Sequence, residues 1–416
     1  MTRYRPVAAD KASCCGCSAC LDICPTGAIA MADDRDGAAY AVIDGDKCVS
    51  CGLCLEVCAF RHDRRTGRPR AVYAAAARDR ELLKGAASGG VFSVCAEAVL
   101  KSGGVVYGCR MTERTGSDLI GAAMIRVDDR SQLDLIAGSK YVQSDMGRIY
   151  RKIRSDLKAG RRVLFGGTPC QCAAVRRYLK TAHVSGEDLE RLCVIDIVCH
   201  GVPGETFFKT YVQDLEKRAR RPVTGIIFRD KRYGWGLKGR IDYGGEGGTK
   251  TEVLHKALSS YYQLFLEGAI YRESCYGCPY ARAERTGDIT ACDYWGVEEE
   301  APDCLNGSGG VIDREAGVSA LIVNTEKGAQ LLREAEESLL LVPTSFEKVA
   351  KGNAQLCHPT AEPPDRGTVM DLYRRNGYSA VEEWYRRRIG ARRWRLLVTQ
   401  NLPDPLKKKL GRLLGR

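Results

Sequence analysis

The apolar positions of the chain change their period along its length, and from about residue 71 onward helical and strand-like segments alternate. Short apolar runs bounded by glycine and polar turns indicate strands, and apolar residues spaced three and four apart indicate helices. The predicted strands are 103–108, 119–127, 162–170 and 192–201, and the predicted helices are 91–100 and 171–180. This alternation predicts a mixed fold of the α+β or α/β class.

Toward the C-terminus the pattern becomes basic and amphipathic. One helix is predicted over 382–398 and a second, shorter one over 406–416. From Arg386 onward eleven residues are basic and one, Asp404, is acidic, which accounts for most of the formal net charge of +12. Such an end suits an anionic membrane surface or an acidic partner, and a solvated, frayed terminus is the alternative. Nucleic acid is not an expected partner, because no recognition fold accompanies the charge.

The overall composition is ordinary, with 44% hydrophobic and 28% charged residues among 416. It is typical of a soluble globular protein and excludes a disordered, collagen-like or mainly membrane-spanning chain. No signal-peptide core and no run of 18 apolar residues occurs, so we expect a cytoplasmic protein, with its basic end as a potential contact to the inner membrane face. The 20 cysteines are unusual, and in a reducing compartment they indicate metal or redox sites.

Eight of the cysteines follow one spacing rule twice. Each group has the form C-x2-C-x2-C-x3-C, which is typical of bacterial 4Fe-4S ferredoxins. The first group is Cys14, Cys17, Cys20 and Cys24, and the second is Cys48, Cys51, Cys54 and Cys58. The repeated spacing indicates an internal duplication and predicts two 4Fe-4S clusters.

The spacing also predicts which cysteines share a cluster. Three cysteines at two-residue intervals wrap a loop around one face of a cubane, and the fourth begins a helix that points away, so it ligates the other cluster. One cluster is therefore assigned to Cys14, Cys17, Cys20 and Cys58, and the other to Cys48, Cys51, Cys54 and Cys24. Zinc knuckles are the alternative, but they use two separated C-x2-C pairs. Cys15 breaks the spacing and is interpreted as a spare small residue.

A polar, basic connector at 61–70 has no apolar periodicity and predicts a domain boundary. We therefore divide the chain into a small dicluster ferredoxin domain over 1–66, a larger mixed α/β domain over 67–355 and a helical basic tail over 356–416. Both cysteine groups belong to the first part.

Four further cysteines form a separate candidate site. Two predicted strands end in a cysteine, Cys170 and Cys199, and Cys275 and Cys278 form a C-x2-C pair. If the two strands are parallel neighbours, both thiols lie at the sheet edge where open α/β folds bind ligands. These four thiols are candidate ligands of a third metal centre. On spacing alone, ordinary buried thiols are an equal alternative.

Short motifs in a fixed order extend this interpretation. They are 88–92 (SGGVF), 103–108 (GGVVYG), 138–144 (GSKYVQS), 167–171 (GTPCQ), 199–203 (CHGVP), 228–231 (FRDK), 274–278 (SCYGC), 293–296 (DYWG) and 317–324 (GVSALIVN). Together they resemble the coenzyme F-420 hydrogenase/dehydrogenase beta-subunit family, over roughly residues 1 to 355. The resemblance implies a core 4Fe-4S cluster on Cys170, Cys199, Cys275 and Cys278 and an FAD in the adjacent cleft. It does not imply that F-420 is the substrate.

A standard dinucleotide site is not indicated, because no G-x-G-x-x-G opens a helix after a strand. Short glycine and hydroxyl turns expose backbone N–H groups that can hold a pyrophosphate, and a lysine adds charge near the phosphate or the flavin ring. The residues predicted to contact the flavin are Ser88, Gly89, Gly90, Ser139, Lys140 and Thr168. Taken singly, each has the alternative of an ordinary loop residue, and 228–231 is either an anion contact or a surface turn.

Together these parts predict an oxidoreductase that passes electrons between a one-electron donor such as ferredoxin, three 4Fe-4S clusters and FAD, and a two-electron acceptor, with F-420 as one candidate. The basis is that clusters carry single electrons whereas a flavin carries one or two. The alternative is a non-catalytic electron-transfer subunit that connects a partner oxidoreductase to a ferredoxin pool. No catalytic residue is assigned.

Overall fold

The computed structural model describes residues 4–8, 11–62, 67–245 and 247–401, which form fourteen strands and sixteen α-helices. The strands are β1 (Tyr4–Pro6), β2 (Ile29–Asp33), β3 (Ala39–Asp44), β4 (Ala71–Ala77), β5 (Val105–Met111), β6 (Ala122–Val127), β7 (Val163–Gly167), β8 (Leu192–Ile197), β9 (Val223–Ile227), β10 (Lys238–Tyr243), β11 (Lys250–His255), β12 (Ile289–Asp293), β13 (Ser319–Val323) and β14 (Leu339–Pro343). The helices are α1 (Ala19–Ile23), α2 (Leu53–Glu56), α3 (Arg80–Gly85), α4 (Val91–Lys101), α5 (Leu133–Ile136), α6 (Ile149–Lys158), α7 (Pro169–Thr181), α8 (Gly186–Glu190), α9 (Glu205–Ala219), α10 (Ser260–Leu266), α11 (Val297–Glu300), α12 (Glu326–Ala335), α13 (Phe346–Lys351), α14 (Asp365–Asn376), α15 (Tyr378–Ile389) and α16 (Arg392–Asn401).

A mixed eight-stranded sheet with the order β14-β4-β13-β12-β8-β7-β5-β6 forms the centre of the larger domain. Strands β12, β8, β7 and β5 run parallel, and the outer pairs are antiparallel. Leu164 packs on the side of α4 and α12, whereas its neighbours Val163 and Phe165 pack on the side of α6 and α7. Both faces are therefore covered, which explains why the central strands are continuous apolar runs. The predicted mixed α/β class is confirmed.

The predicted helices and strands of this domain are all present, but two ends differ where the candidate thiols lie. Helix α7 begins at Pro169, so Cys170 lies in its first turn and not at the end of a strand. Proline favours the first turn, and the Gln171 side chain accepts a hydrogen bond from the Thr168 N–H at 3.1 Å. Strand β8 ends at Ile197, so Cys199 follows it in a loop.

The N-terminal module consists of the antiparallel sheet β1-β3-β2 with the short helices α1 and α2. Its β2–β3 turn packs closely against the start of α9. A Cβ atom at Gly204 would lie 1.9 Å from the carbonyl oxygen of Gly37, so only glycine permits this approach. The Thr206 hydroxyl donates to Asp33, and Arg374 pairs with Asp36 at 2.6 Å. The module is thus docked onto the larger domain.

The helix predicted over 382–398 is two helices in the structure. Helix α15 ends at Ile389, and Gly390 with a φ of 51° separates it from α16. Helices α14 and α15 pack into the aromatic core beneath α9 and α10, with Val381 fully buried. The helix predicted over 406–416 lies outside the described residues. Within the part of the chain that is described, no helix combines the length and the apolar character needed to cross a bilayer.

Candidate functional site

The two N-terminal cysteine groups share a backbone conformation as well as a spacing. Gly16 and Ser50, each two residues after the first cysteine of its group, have φ values of 65° and 55°. Ser18 and Gly52, each directly after the second cysteine, have φ values of 55° and 79°. Left-handed backbone is unfavourable for serine, so its repetition at matching positions reflects the shape that the loop must adopt. The internal duplication therefore extends to the backbone.

The helix predicted to begin at the fourth cysteine differs between the two groups. Cys58 directly precedes the 3-10 helix Ala59–Arg61, whereas in the first group the prediction is wrong. Helix α1 lies between the second and fourth cysteines of the first group, so Cys24 ends this helix and does not begin one. The third cysteine, Cys20, lies inside the helix.

The fourth cysteine of the second group, Cys58, lies beside the first group. Burial raises the pKa of Cys58, and the neighbouring Cys17 and Cys14 thiols raise it further. Burial likewise raises the pKa of Cys20 well above its ordinary value, with Cys17, Cys14 and Cys58 as charged neighbours. This proximity is what the predicted exchange of fourth cysteines requires.

The remaining cysteines of the module lie on its outer side. Cys24, Cys48 and Cys54 pack against the small hydrophobic core of the β1-β3-β2 sheet. Cys48 and Cys51 are charged neighbours of Cys54, and Cys51 is exposed. The second set of four is therefore closer to solvent than the first.

Four other thiols meet in a cavity within the larger domain, here called the core cavity. Its lining includes Cys170, Cys199, Cys275 and Cys278. Strands β7 and β8 are parallel neighbours, so the segments that follow them reach the same edge of the sheet. The other two thiols belong to the loop after α10. The four candidate ligands of a third centre are thus brought together from three separate parts of the chain.

The thiols of the core cavity have unequal electrostatic environments. Burial raises the pKa of Cys275 to about 12 and that of Cys278 to about 11. Hydrogen bonding with Cys15, followed by the Thr168 hydroxyl, lowers the pKa of Cys170 to about 7. The Thr168 oxygen lies 3.2 Å from the Cys170 sulfur. Hydrogen-bond donors therefore face the sulfur of Cys170, one of the candidate ligands.

The donor set of the core cavity fits a 4Fe-4S cluster, which takes four cysteine thiolates. Within the described residues, no three His, Cys, Asp or Glu side chains are arranged to hold a single metal ion. A cubane spreads its four thiolates over separate corners, which is a wider arrangement than the tetrahedron around one ion. The residues that would hold the cluster are Cys170, Cys199, Cys275 and Cys278.

Cys15, interpreted from the sequence as a spare residue, also lines the core cavity. Its thiol interacts with those of Cys17 and Cys170, and these hydrogen bonds, together with burial, raise the pKa of Cys15 well above its ordinary value. Cys17 belongs to the first N-terminal group and Cys170 to the core cavity. Cys15 therefore connects the two sets of thiols. The feature of the sequence that could have indicated this is its position directly after Cys14.

A buried arginine that the sequence analysis did not single out joins the same two regions. Arg272 donates to the carbonyl oxygens of Cys14 and Ala39 at 2.9 and 2.7 Å and to the side chain of Gln143. Gln143 in turn donates to the Gly16 carbonyl at 3.0 Å. A Cβ atom at Gly16 would lie 2.6 Å from the Arg272 guanidinium. Glycine here lets the cysteine loop reach the arginine.

A buried ion pair supports the core cavity from the sheet side. Arg285, 1% exposed, lines the cavity and pairs with Asp196, which is fully buried, at 3.2 Å. Asp196 also accepts hydrogen bonds from the hydroxyls of Thr286 and Thr290. A buried charge of this kind is tolerated only when it is paired and hydrogen-bonded. Strand β8, which leads to Cys199, is held in place by this network.

The six residues predicted to contact a flavin do not lie at one place. Thr168 lines the core cavity. The Ser88 hydroxyl donates to the Val318 carbonyl at 2.7 Å, and the Gly89 N–H donates to the Ser319 hydroxyl at 2.9 Å. Gly90 begins helix α4 with a φ of 77°. The polar groups of Ser88 and Gly89 are therefore engaged within the chain.

Two half-buried lysines lie near this turn. Lys140 donates to the carbonyls of Ala137 and Gly138, and its neighbour Ser139 bonds with Tyr141. Lys231, in the segment 228–231, donates to the carbonyls of Ser88 and Ala316. Burial lowers the pKa of each lysine to about 8. The Lys231 ammonium thus bonds to the turn that precedes α4, and the Lys140 ammonium bonds to the segment that follows α5.

The other charged residues of the segment 228–231 form internal ion pairs. Arg229 makes two bonds to Asp293, at 2.5 and 2.8 Å. The Trp235 indole donates to the same carboxylate at 2.8 Å and stacks on Trp295, with ring centroids 5.1 Å apart. The segment is therefore part of a buried polar and aromatic cluster and not a simple surface turn.

Three family models match successive parts of the chain. The family model described as "Coenzyme F-420 hydrogenase/dehydrogenase, beta subunit N-term" matches residues 72–150, and the corresponding C-terminus model matches residues 160–348. A model for a 4Fe-4S dicluster domain matches residues 13–61. No curated protein matches the chain. No family model matches the residues between 61 and 72, and the domain boundary in this segment stays a prediction.

One solved structure with a similar chain is the F-420-reducing NiFe hydrogenase complex from Methanosarcina barkeri, studied by xenon derivatization. The matched chain is 14% identical to this one, with a TM-score of 0.44. The match covers 75% of this chain and 94% of that chain.

Proposed function

Because this chain belongs to the coenzyme F-420 hydrogenase/dehydrogenase beta-subunit family and carries a 4Fe-4S dicluster domain, we propose that it is an iron-sulfur flavoprotein oxidoreductase. It passes electrons between a one-electron donor such as ferredoxin and a two-electron acceptor, with F-420 as one candidate. The bound groups supply this chemistry, since clusters exchange single electrons and a flavin exchanges one or two.

The meeting of five thiols at the junction of the two domains carries this proposal. Four of them would hold the core cluster, and Cys15 lies between that set and Cys17. Thr168 and Arg272 face the same sulfurs with a hydroxyl and a positive charge. Donors and cations next to cluster sulfurs stabilise the added negative charge of reduction. The chain thus provides a buried connection between the N-terminal module and the core cavity.

For FAD, the residues that fit best are Lys140 and Lys231. Each binds backbone carbonyls, and within the described part of the chain neither has a carboxylate at ion-pair distance. An anion such as a pyrophosphate or a reduced flavin ring would compensate the charge of a half-buried cation of this kind. The lysines would hold and orient the flavin, while Ser88 and Gly89 shape the turn between them.

The test is anaerobic reconstitution followed by analysis of iron, labile sulfide and flavin. We expect about twelve iron atoms and one FAD per chain, since three four-iron clusters are proposed. The loaded protein is then assayed for oxidation of reduced F-420 or NAD(P)H with an artificial one-electron acceptor. Full loading without activity on any two-electron donor would favour the electron-transfer subunit that serves a partner oxidoreductase. A colourless, zinc-loaded protein would contradict the proposal.

The basic C-terminal end is proposed to contact an anionic membrane surface from the cytoplasmic side. Helix α16 carries several arginines and an indole, Trp394, that is 73% exposed, a combination that favours the membrane interface. Cosedimentation with anionic liposomes compares the full chain with a chain that ends at residue 390, before α16. Equal pelleting of both forms would contradict the membrane contact.

A further inference from the structure

Helix α6 exposes a strongly basic side. Its apolar residues Ile149, Tyr150, Ile153 and Leu157 are buried against the sheet. The opposite side carries five basic residues, which we call the basic face of α6. They are Arg148, Arg151, Lys152, Arg154 and Lys158. The one acidic residue of the helix, Asp156, is turned away and pairs with Arg126 at 2.8 Å.

The basic face borders an open pocket. Arg151, Arg154, Ser155 and Lys158 line one side of it, together with Asp22, Ile23 and Tyr178 from the neighbouring helices. Residues three and four positions apart lie on the same side of a helix, which explains why these α6 residues act together. The face is concave at its centre.

The basic residues of this face outnumber the carboxylates that pair with them. Within the described residues, Asp22 is the carboxylate that pairs with the face, at 2.8 Å from Arg151 and 3.8 Å from Arg148. In the same part of the chain Arg154 is half-buried and lines the open pocket, and both Lys152 and Lys158 are exposed. Three cations are therefore available to a partner.

The basic face lies directly over the helix that carries the N-terminal cysteines. Arg151 donates to the Asp22 carbonyl oxygen at 2.7 Å, and the Tyr150 hydroxyl donates to the Cys17 carbonyl at 2.5 Å. Asp22 belongs to α1, between Cys20 of the first set and Cys24 of the second. A molecule bound to the basic face is thus separated by α1 from Cys20 and Cys24, one predicted ligand of each set.

We propose that the basic face of α6 is the docking surface for an acidic one-electron carrier protein of the ferredoxin type. The proposal rests on the proposed function, which needs such a donor, and adds where it binds. Opposite charges steer the encounter of two proteins and fix their orientation. A concave basic surface above α1 brings the carrier next to the proposed clusters.

A protein partner fits this surface better than a lipid bilayer. Membrane-bound helices insert large apolar side chains between the lipids. The exposed large hydrophobic residues of the described chain include none on α6; they are Val49, Leu55, Leu135, Ile197, Ile227, Tyr233, Val253, Val311 and Trp394. The charge of the basic face also surrounds a pocket, which suits a convex acidic surface.

The test reverses two charges that form no ion pair. The reconstituted Lys152→Glu/Lys158→Glu variant is compared with Lys217→Glu/Lys256→Glu, in which two exposed lysines outside α6 and its neighbours change by the same charge. Calorimetry measures the affinity for an acidic 4Fe-4S ferredoxin at low and at physiological salt. We expect the α6 variant to bind at least about tenfold more weakly at low salt, with a smaller difference at higher salt because ions screen exposed charges.

Two further measurements separate the possible outcomes. Reduction of the visible chromophore by dithionite, which needs no docking site, is expected to be equal in all forms. If dithionite reduces no form, the proposed function fails, while the calorimetry still decides the docking surface. Equal ferredoxin affinity of the two variants, or an equal loss in both, would overturn the proposal. The same holds if α6 charge reversal abolishes binding to anionic vesicles and leaves ferredoxin binding unchanged.

Discussion

In the N-terminal module eight candidate ligands lie between residues 14 and 58, on two loops of the same spacing and backbone conformation. In the core cavity four candidate ligands come from a helix start, the loop after a strand and a distant loop, and the first two meet because β7 and β8 are parallel neighbours. The module reaches solvent at Cys51, whereas a buried ion pair borders the cavity on the side of the sheet. A local loop can therefore bring thiols together without a large core, whereas thiols from separate parts of the chain depend on the whole sheet to meet.

The largest effect is expected from removing one ligand of the core cavity. In Cys275→Ser the core cluster is lost, while the N-terminal module shares none of its ligands. Iron content after reconstitution is expected to fall from about twelve to about eight atoms per chain. Cys357→Ser, at an exposed cysteine, is the control and keeps full content. Loss of all iron in Cys275→Ser would show that the two regions do not load independently.

The dependence of the core cavity on buried charge is tested by Arg285→Met. The change leaves the fully buried Asp196 without its cation. Breaking a buried pair in this way lowers the free energy of unfolding by about 3–5 kcal/mol. Urea denaturation monitored by tryptophan fluorescence measures this. The control is Arg333→Met, which removes an exposed pair with Glu326 and costs about 1 kcal/mol or less. Similar losses in both variants would contradict the role given to the buried network.

The junction of the two regions is tested at Arg272. Arg272→Met leaves the buried carbonyls of Cys14 and Ala39 without their donor. Two unsatisfied acceptors cost about 2–4 kcal/mol, so amide hydrogen exchange over residues 14–40 is expected to accelerate by about 30-fold or more. Arg272→Lys keeps the charge but not the forked geometry. Its amide exchange rate is expected to lie between those of the unchanged chain and of Arg272→Met. Unchanged exchange in Arg272→Met would mean that the module is held by other contacts.

The smallest effect concerns the two lysines near α4. Burial lowers the pKa of Lys140 and Lys231 from 10.5 to about 8, so both are charged below pH 8 and become neutral above it. FAD affinity, measured by quenching of flavin fluorescence, is expected to be constant below about pH 7 and to fall as the pH rises through 8. In Lys140→Arg/Lys231→Arg the charge persists and the fall disappears. An unchanged pH profile in that variant would assign the dependence to other groups.

Much of the fold could be predicted from the sequence because its signals are local. Helix α4 and strands β7 and β8 follow from the spacing of apolar residues and from the glycine turns beside them. The errors lie at element ends. Pro169 starts a helix where a strand was extended, and Gly390 breaks a helix whose apolar spacing continues past it. Apolar periodicity does not register such backbone constraints.

The candidate flavin residues show that the composition of a turn does not by itself establish a binding site. Ser88 and Gly89 have the composition of a phosphate-binding turn, yet strand β13 occupies their polar groups. Lys231 lies in a segment that the sequence left as either an anion contact or a surface turn. Its carbonyl partners place it beside Ser88, a relation between residues 143 positions apart.

The sequence alone was enough to predict the duplicated cysteine loops and the mixed α/β class, while the assignment of ligands to each cluster stays a prediction. These follow from spacing and periodicity, which act over a few residues. Only the tertiary structure decided that Cys15 connects Cys17 to Cys170, that Arg272 bonds to Cys14 across 258 positions, and that α6 covers α1 with a basic face. The physical reason is that buried donors and thiols are satisfied by whichever partner the packed sheet brings close, and sequence distance carries no record of that proximity.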